Sequence, residues 1–257
     1  MRHDRHMPSV RGCFPDAARS RVNYVSNAAI DHWQKIGIIG GLGPLACANF
    51  YMRLVEQTTA GSDQEHPEVL LLSSPAIPSR LDHLLSDGPS PVEQLQAVAR
   101  RLQDAGAQLI AMPSVTTQAY YDEVSAAVDV PVVDMLRVVA AGLREAGVLR
   151  PALAVTDGAL KLGLLHRALV DAGLTPVYPD PATQREIQEC VEMVKSGRVQ
   201  EASAQLRKAV EGEWTRPGDG VVVGCTDLSP LLPELPPHVY DVTRILGRAV
   251  LDMAASR

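Results

Sequence analysis

From Lys35 onward, short runs of Val, Ile and Leu alternate with longer amphipathic segments, and this alternation constrains the fold more than any other feature of the chain. Apolar runs of this kind are strands buried on both faces of a parallel sheet, and the segments between them have the length of crossover helices. Strands are expected at Lys35–Gly40, Val69–Ser74, Gln108–Met112, Pro131–Asp134, Ala152–Thr156, Thr175–Tyr178, Gly220–Gly224 and His238–Tyr240. The clearest helix begins at Ser90, where Ser90 and Glu93 have capping-box spacing and Pro91 takes the first helical position; it ends near Gly106.

The pattern repeats coarsely. Leu109-Ile110-Ala111-Met112 runs into Pro113-Ser114, with Thr116 following, much as Val221-Val222-Val223 runs into Gly224-Cys225-Thr226. Each turn follows a first strand, Lys35–Gly40 or Ala152–Thr156, at a similar separation. The expected class is therefore α/β with two pseudo-symmetric lobes, each a parallel sheet flanked by helices. The lobes would span residues 35–148 and 149–257, with the C-terminal helix free to pack back on the first. Ligands in such sheets sit beyond the carboxyl ends of the strands, so a site between the lobes would hold Ser114 and Cys225.

Composition excludes several functions. Residues 1–34 carry five arginines, three histidines and no apolar periodicity, so they read as a poorly ordered extension; an Arg-rich, acid-poor start is shared with transit peptides. No apolar run approaches the roughly 18 residues of a membrane span. A net charge of −6 argues against a nucleic-acid surface, and 4% aromatic residues against a stacking platform for bases. Cys13, Cys47, Cys190 and Cys225 form no CxxC pair, and the histidines form no HExxH, so neither metal nor disulfide framework is expected and a reducing cytoplasm is.

Three features could carry chemistry. Gly40-Gly41-Leu42-Gly43-Pro44 follows the first strand and opens a helix, leaving N–H groups at a helix N-terminus for an anion; a structural tight turn fits the loop equally well. GxGxxG is absent, which disfavours a dinucleotide. Cys225 ends a strand ahead of an expected helix, Asp227–Leu232, whose N-terminus would lower the thiol pKa toward neutrality; a buried structural cysteine is the alternative. Cys47 and Cys190 fall within helical patterns as packing residues. Arg80 and Lys195 taken alone are ordinary surface charges, and Gln64 and His66 fit a structural turn as well as a site.

GGLGPLA, DQEHPEV, IPSR, MPSVTT and GCTDLS occur in one order and spacing, and with them the chain from Lys35 to about Asp252 resembles the aspartate/glutamate racemase superfamily, most of all its aspartate racemase branch. The resemblance implies a two-lobed α/β enzyme without PLP or metal, commonly a homodimer, in which two cysteines exchange a proton on opposite faces of a substrate α-carbon. It places the second cysteine on Cys225 and the first on Ser114, and it implies carboxylate contacts from Arg80 and Lys195. Leu42, Gly43, Val115, Thr116, Thr117, Thr156 and Thr226 complete the expected substrate-binding set. The family's Pro-Cys-Asn-Thr-Ala-His reads here Pro113-Ser114-Val115-Thr116-Thr117-Gln118, its IPDR reads IPSR, and Ser74 replaces the Asn ahead of Pro75.

Two-thiol racemisation needs one ionised base and one protonated acid, both near the working pH, and a serine hydroxyl without a histidine partner is a poor base. Three functions follow. The first is a racemase or epimerase of an acidic amino acid or a modified relative, with unequal half-reactions. The second is a one-cysteine enzyme resembling arylmalonate decarboxylase, which protonates an enediolate from a single thiol. The third is a non-catalytic carboxylate-binding relative, disfavoured by the intact Gly224-Cys225-Thr226. The expected partner is a small carboxylate or amino acid, with no nucleic acid and no membrane.

Overall fold

The computed structural model describes residues 33–212, 214–216, 219–232 and 236–255; most of the N-terminal extension, Cys13 included, lies outside them. In chain order the elements are β1 (Ile36–Gly40), α1 (Pro44–Gln57), β2 (Val69–Ser73), α2 (Arg80–Leu85), α3 (Val92–Asp104), β3 (Leu109–Ala111), α4 (Tyr121–Ser125) and α5 (Met135–Glu145). They continue with β4 (Pro151–Ala154), α6 (Asp157–Leu162), α7 (Leu164–Asp171), α8 (Pro181–Lys195), α9 (Val199–Val210), β5 (Gly220–Val223), β6 (Val239–Asp241) and α10 (Val242–Ala255). Trp33 and Gln34, assigned to the extension from sequence, belong to the folded body. The Trp33 indole donates to Glu65 O and the Gln34 amide to Ala254 O.

The strands form two parallel sheets, β2-β1-β3 and β4-β5-β6. The expected strands at Pro131–Asp134 and Thr175–Tyr178 shrink to single bridges, Ile110 with Val132 and Ala152 with Val177. Pro131 and Pro176 supply no N–H, and Asp134 leaves the sheet to cap α5, its carboxylate accepting from the Arg137 amide. With the bridges counted, both sheets run second, first, third, fourth strand. The internal repeat is real, and β3 and β5 are the equivalent third strands.

Every residue of β1 and β5 is buried, as expected of strands covered on both faces. One apolar cluster joins the two sheets: Ile36 and Ile38 from β1, Leu153 from β4, Val222 from β5, Phe50 from α1, Leu143 from α5 and Leu246 and Val250 from α10. Each such side chain contributes roughly 1.5–3 kcal/mol by leaving water. The terminal helix α10 packs on α1 and α5, so the end of the chain closes the core of its beginning. In α3 the buried Leu95, Val98, Ala99 and Leu102 make one helical stripe, but the expected capping box does not form. Ser90 instead accepts from the Val92 amide, because Pro91 occupies the capping position in helical conformation.

Candidate active site

The loop after β1 needs its glycines. Gly41 has φ 86°, and a Cβ there would collide with the Ser74–Pro75 backbone; Gly43 has φ 126° and leads into Pro44 at the start of α1. Arg80 opens α2, whose N-cap is Ser79, and ties this loop down by donating to Pro78 O at 3.1 Å and Leu42 O at 3.2 Å. Burial lowers its pKa from the ordinary guanidinium value.

After β3 the chain turns at Ser114, which is only 4% exposed, and enters a 3-10 turn over Thr116–Tyr120. The Ser114 hydroxyl accepts a hydrogen bond from Thr117 Oγ1 at 2.9 Å, with Thr116 Oγ1 at 3.4 Å. One of its two lone pairs is so engaged, and its own proton remains available to a ligand. Gln118 braces the turn from behind: its Nε2 donates to Met112 O at 2.9 Å and its Oε1 accepts from the Met135 amide at 3.2 Å. Gln118 is thus a structural clamp on the start of α5.

After β5 the Gly224 amide still pairs with Ala154 O, and Cys225 then begins a turn closed by the Leu228 amide on Cys225 O. The expected Asp227–Leu232 helix is absent. Asp227 lies in a turn and a short 3-10 turn spans Ser229–Leu231, so no helix N-terminus of useful length stands behind the sulfur. The expected fall in the Cys225 pKa is reversed: the thiol is pushed up to about 12. Burial is the main cause and the Asp227 carboxylate the next. The backbone N–H groups of Asp227 and Leu228 and the Lys195 charge pull the other way. Asp227 is itself raised by burial, against the pull of Lys195 and Arg80.

Helix α8 starts at Pro181 behind an Asp180 cap and ends at Lys195. Gln188, Val191 and Lys195 lie at spacings of three and four on one face. The same helix holds the turn after β4, since Gln188 Oε1 accepts from the Asp157 amide and Gln184 Nε2 donates to Val155 O. Thr156 caps α6 by accepting from the Ala159 amide.

These elements enclose a cleft of about 280 Å³. Of the residues expected from sequence, Leu42, Arg80, Ser114, Val115, Thr116, Thr156, Lys195, Cys225 and Thr226 line it. Gly43 stands beside it, and Thr117, fully buried, reaches it only through Ser114. Asp227, Leu81, Gln188 and Val191 also line it and were not expected. Asp227 could have been found from its place two residues after Cys225 in GCTDLS, and Gln188 and Val191 from helical spacing back from Lys195. Cys47 and Cys190 are buried packing residues with raised pKa values, that of Cys190 about 11. Among the described residues no three His, Cys, Asp or Glu side chains are placed to hold a metal ion, and no helix is long and apolar enough to cross a membrane.

The class defined by this geometry is a two-lobed α/β protein whose equivalent third-strand turns bring a thiol and a hydroxyl into one cleft, lined by Arg80 and Lys195 and by Asp157 and Asp227. Residues 39–255 match the Asp/Glu/Hydantoin racemase family, and the chain belongs to it. It is 22% identical over 212 residues to the broad specificity amino-acid racemase RacX of Bacillus subtilis, covering 78% of this chain and 88% of that one. The aspartate racemase of Picrophilus torridus superposes with a TM-score of 0.76 at 25% identity, over 87% of this chain and 95% of the other. An arylmalonate decarboxylase variant shares the fold more distantly, with a TM-score of 0.51 at 19% identity over 86% of this chain and 93% of its own.

Proposed function

We propose that the chain is a racemase or epimerase acting at the α-carbon of an amino acid or related carboxylate, independent of PLP and metal, with Cys225 as acid/base and Ser114 opposing it. The lobes are taken as residues 35–148 and 149–257, and the enzyme as a cytoplasmic homodimer. The observation that carries this reading is the presence of Ser114 and Cys225 in one cleft with Arg80 and Lys195, in a chain of the racemase family.

In one direction Cys225, protonated at neutral pH and ionised only once a bound ligand has changed its surroundings, removes the α-proton as the thiolate, and the substrate carboxylate takes up the charge as an enediolate. A proton then returns to the opposite face through the Ser114 hydroxyl, which takes its replacement from a water in the same step; the hydroxide so formed removes the proton from Cys225 and restores the site. The reverse direction asks Ser114 to be the base, although a hydroxyl ionises far less readily than a thiol and Thr117 already takes one of its two lone pairs. Proton abstraction from the two hands is therefore unequal. A chelator-treated preparation without added PLP should retain activity, and loss restored by metal or PLP would sink the reading.

One observation favours a second reading. A thiol held as high as about 12 is a standing proton donor, which suits one-sided protonation of a carbanion after carbon dioxide leaves. Release of carbon dioxide from an α-disubstituted malonate, without α-hydrogen exchange in any amino acid, would replace the first reading with this one.

A further inference from the structure

Three positive features face the cleft: the N-terminal end of α1 behind Gly43, the Arg80 guanidinium and the Lys195 ammonium. The Asp227 carboxylate already stands among them. Its Oδ1 lies 2.9 Å from where a Gly43 Cβ would be, so it occupies the approach to the α1 N-terminus that an anionic ligand would use. It also feels the charges of both Arg80 and Lys195. Arg80 uses one N–H of each terminal nitrogen on the carbonyls of Pro78 and Leu42, and its buried Nε has no partner, so it is partly committed to the loop and keeps the rest of its donors. A ligand carboxylate meets exposed Lys195, the hydroxyls of Thr116, Thr226 and Ser114 and what Arg80 has left. A second carboxylate would meet Asp227, with Asp157 also lining the cleft, like charge against like in a partly dehydrated space. An ammonium there would find an anion, and Leu42, Leu81, Val115 and Val191 leave apolar wall for a side chain.

We infer that the cleft selects amino acids with an uncharged side chain over dicarboxylic ones, Asp227 binding the substrate ammonium and Lys195 its single carboxylate. This rests on the proposed α-carbon chemistry and names its substrate class. The test is α-hydrogen exchange in heavy water, followed by NMR, with the pure enzyme and near-isosteric pairs: asparagine against aspartate and glutamine against glutamate, with leucine as an apolar probe. Each amide should exchange about tenfold faster in kcat/KM than its acid, and leucine should exchange as well. In Asp227→Asn, checked for folding by its thermal melt, the preference for asparagine over aspartate should fall by about tenfold, with KM for asparagine raised. If that variant does not fold, the wild-type ratios alone decide. Faster exchange of aspartate or glutamate than of its amide overturns the inference and leaves the α-carbon chemistry standing. An unchanged preference in folded Asp227→Asn removes Asp227 from the ammonium role. Absence of exchange in every amino acid overturns both.

Discussion

Ser114 and Cys225 each follow the third strand of their lobe, yet the protein holds the two side chains in different ways. The Ser114 turn is a closed hydrogen-bond system, with Thr117 donating to the hydroxyl and Gln118 fastening the turn to α5. The Cys225 turn is electrostatic: a desolvated sulfur lies among two backbone N–H groups, a carboxylate and an ammonium. A repeated backbone thus offers two equivalent positions, and side chains a few residues downstream decide what each can do with a proton. Thr117 and Gln118 hold the first in place as a hydroxyl. Asp227 and Lys195 make the second a group whose ionisation a bound ligand can change.

The contrast breaks most easily at the sulfur. Cys225→Ala should cost at least about a thousandfold in turnover, while alanine at Cys47 or Cys190 should leave turnover within about threefold. A folded Cys225→Ala enzyme with full activity would end the acid/base assignment. The opposite test makes the turns alike. Ser114→Cys should speed α-hydrogen exchange of the slowly exchanging hand by about tenfold or more, since a thiol ionises far more readily than a hydroxyl. No gain, with the fold intact, would mean that the Ser114 face takes no proton.

The raised thiol also has a stability signature. Its pKa stands at about 12 in the folded chain against 9.0 as its ordinary value, so above pH 9 the folded state binds more protons than the unfolded one. The stabilisation from this group is complete below that pH and is lost as pH rises toward 12. Between about pH 8 and about pH 10.5 the urea midpoint of wild type should therefore fall more than that of Cys225→Ala. Parallel slopes would contradict the burial of the sulfur.

The smallest effects separate a structural clamp from an ordinary cap. Gln118→Ala strands the Met135 amide and Met112 carbonyl and should cost about 1–3 kcal/mol, read as a lower Tm. Ser90→Ala removes one exposed 3.3 Å bond and should cost only a few tenths. Equal losses would mean that Gln118 does not brace the Ser114 turn.

The lobes, the repeat and the strand-end position of both turns were legible because parallel strands buried on two faces leave unbroken apolar runs, and β1 and β5 show it. Most of the cleft was legible through motif order. What escaped depended on local geometry that residue type does not encode. Asp227 looked like the start of a helix, but the chain makes a turn there and swings its carboxylate toward Gly43. With no helix N-terminus behind the sulfur, burial and the Asp227 carboxylate outweigh the turn's N–H groups, and the Cys225 pKa moves up rather than down. Ser90 and Glu93 had capping-box spacing, yet the helix starts one residue late, at Val92, with Pro91 and not Ser90 in the capping position.

The inequality of the two turns is tested most directly by presenting the L and D forms of one accepted amino acid separately in heavy water. Initial α-deuterium incorporation should be read before either form has inverted. Cys225 acting as the one competent base should give incorporation at least about tenfold faster from one hand than from the other, with Ser114→Cys bringing the two rates together. Equal initial rates from both hands in the wild-type enzyme would contradict the account, because Ser114 would then be as good a base as Cys225.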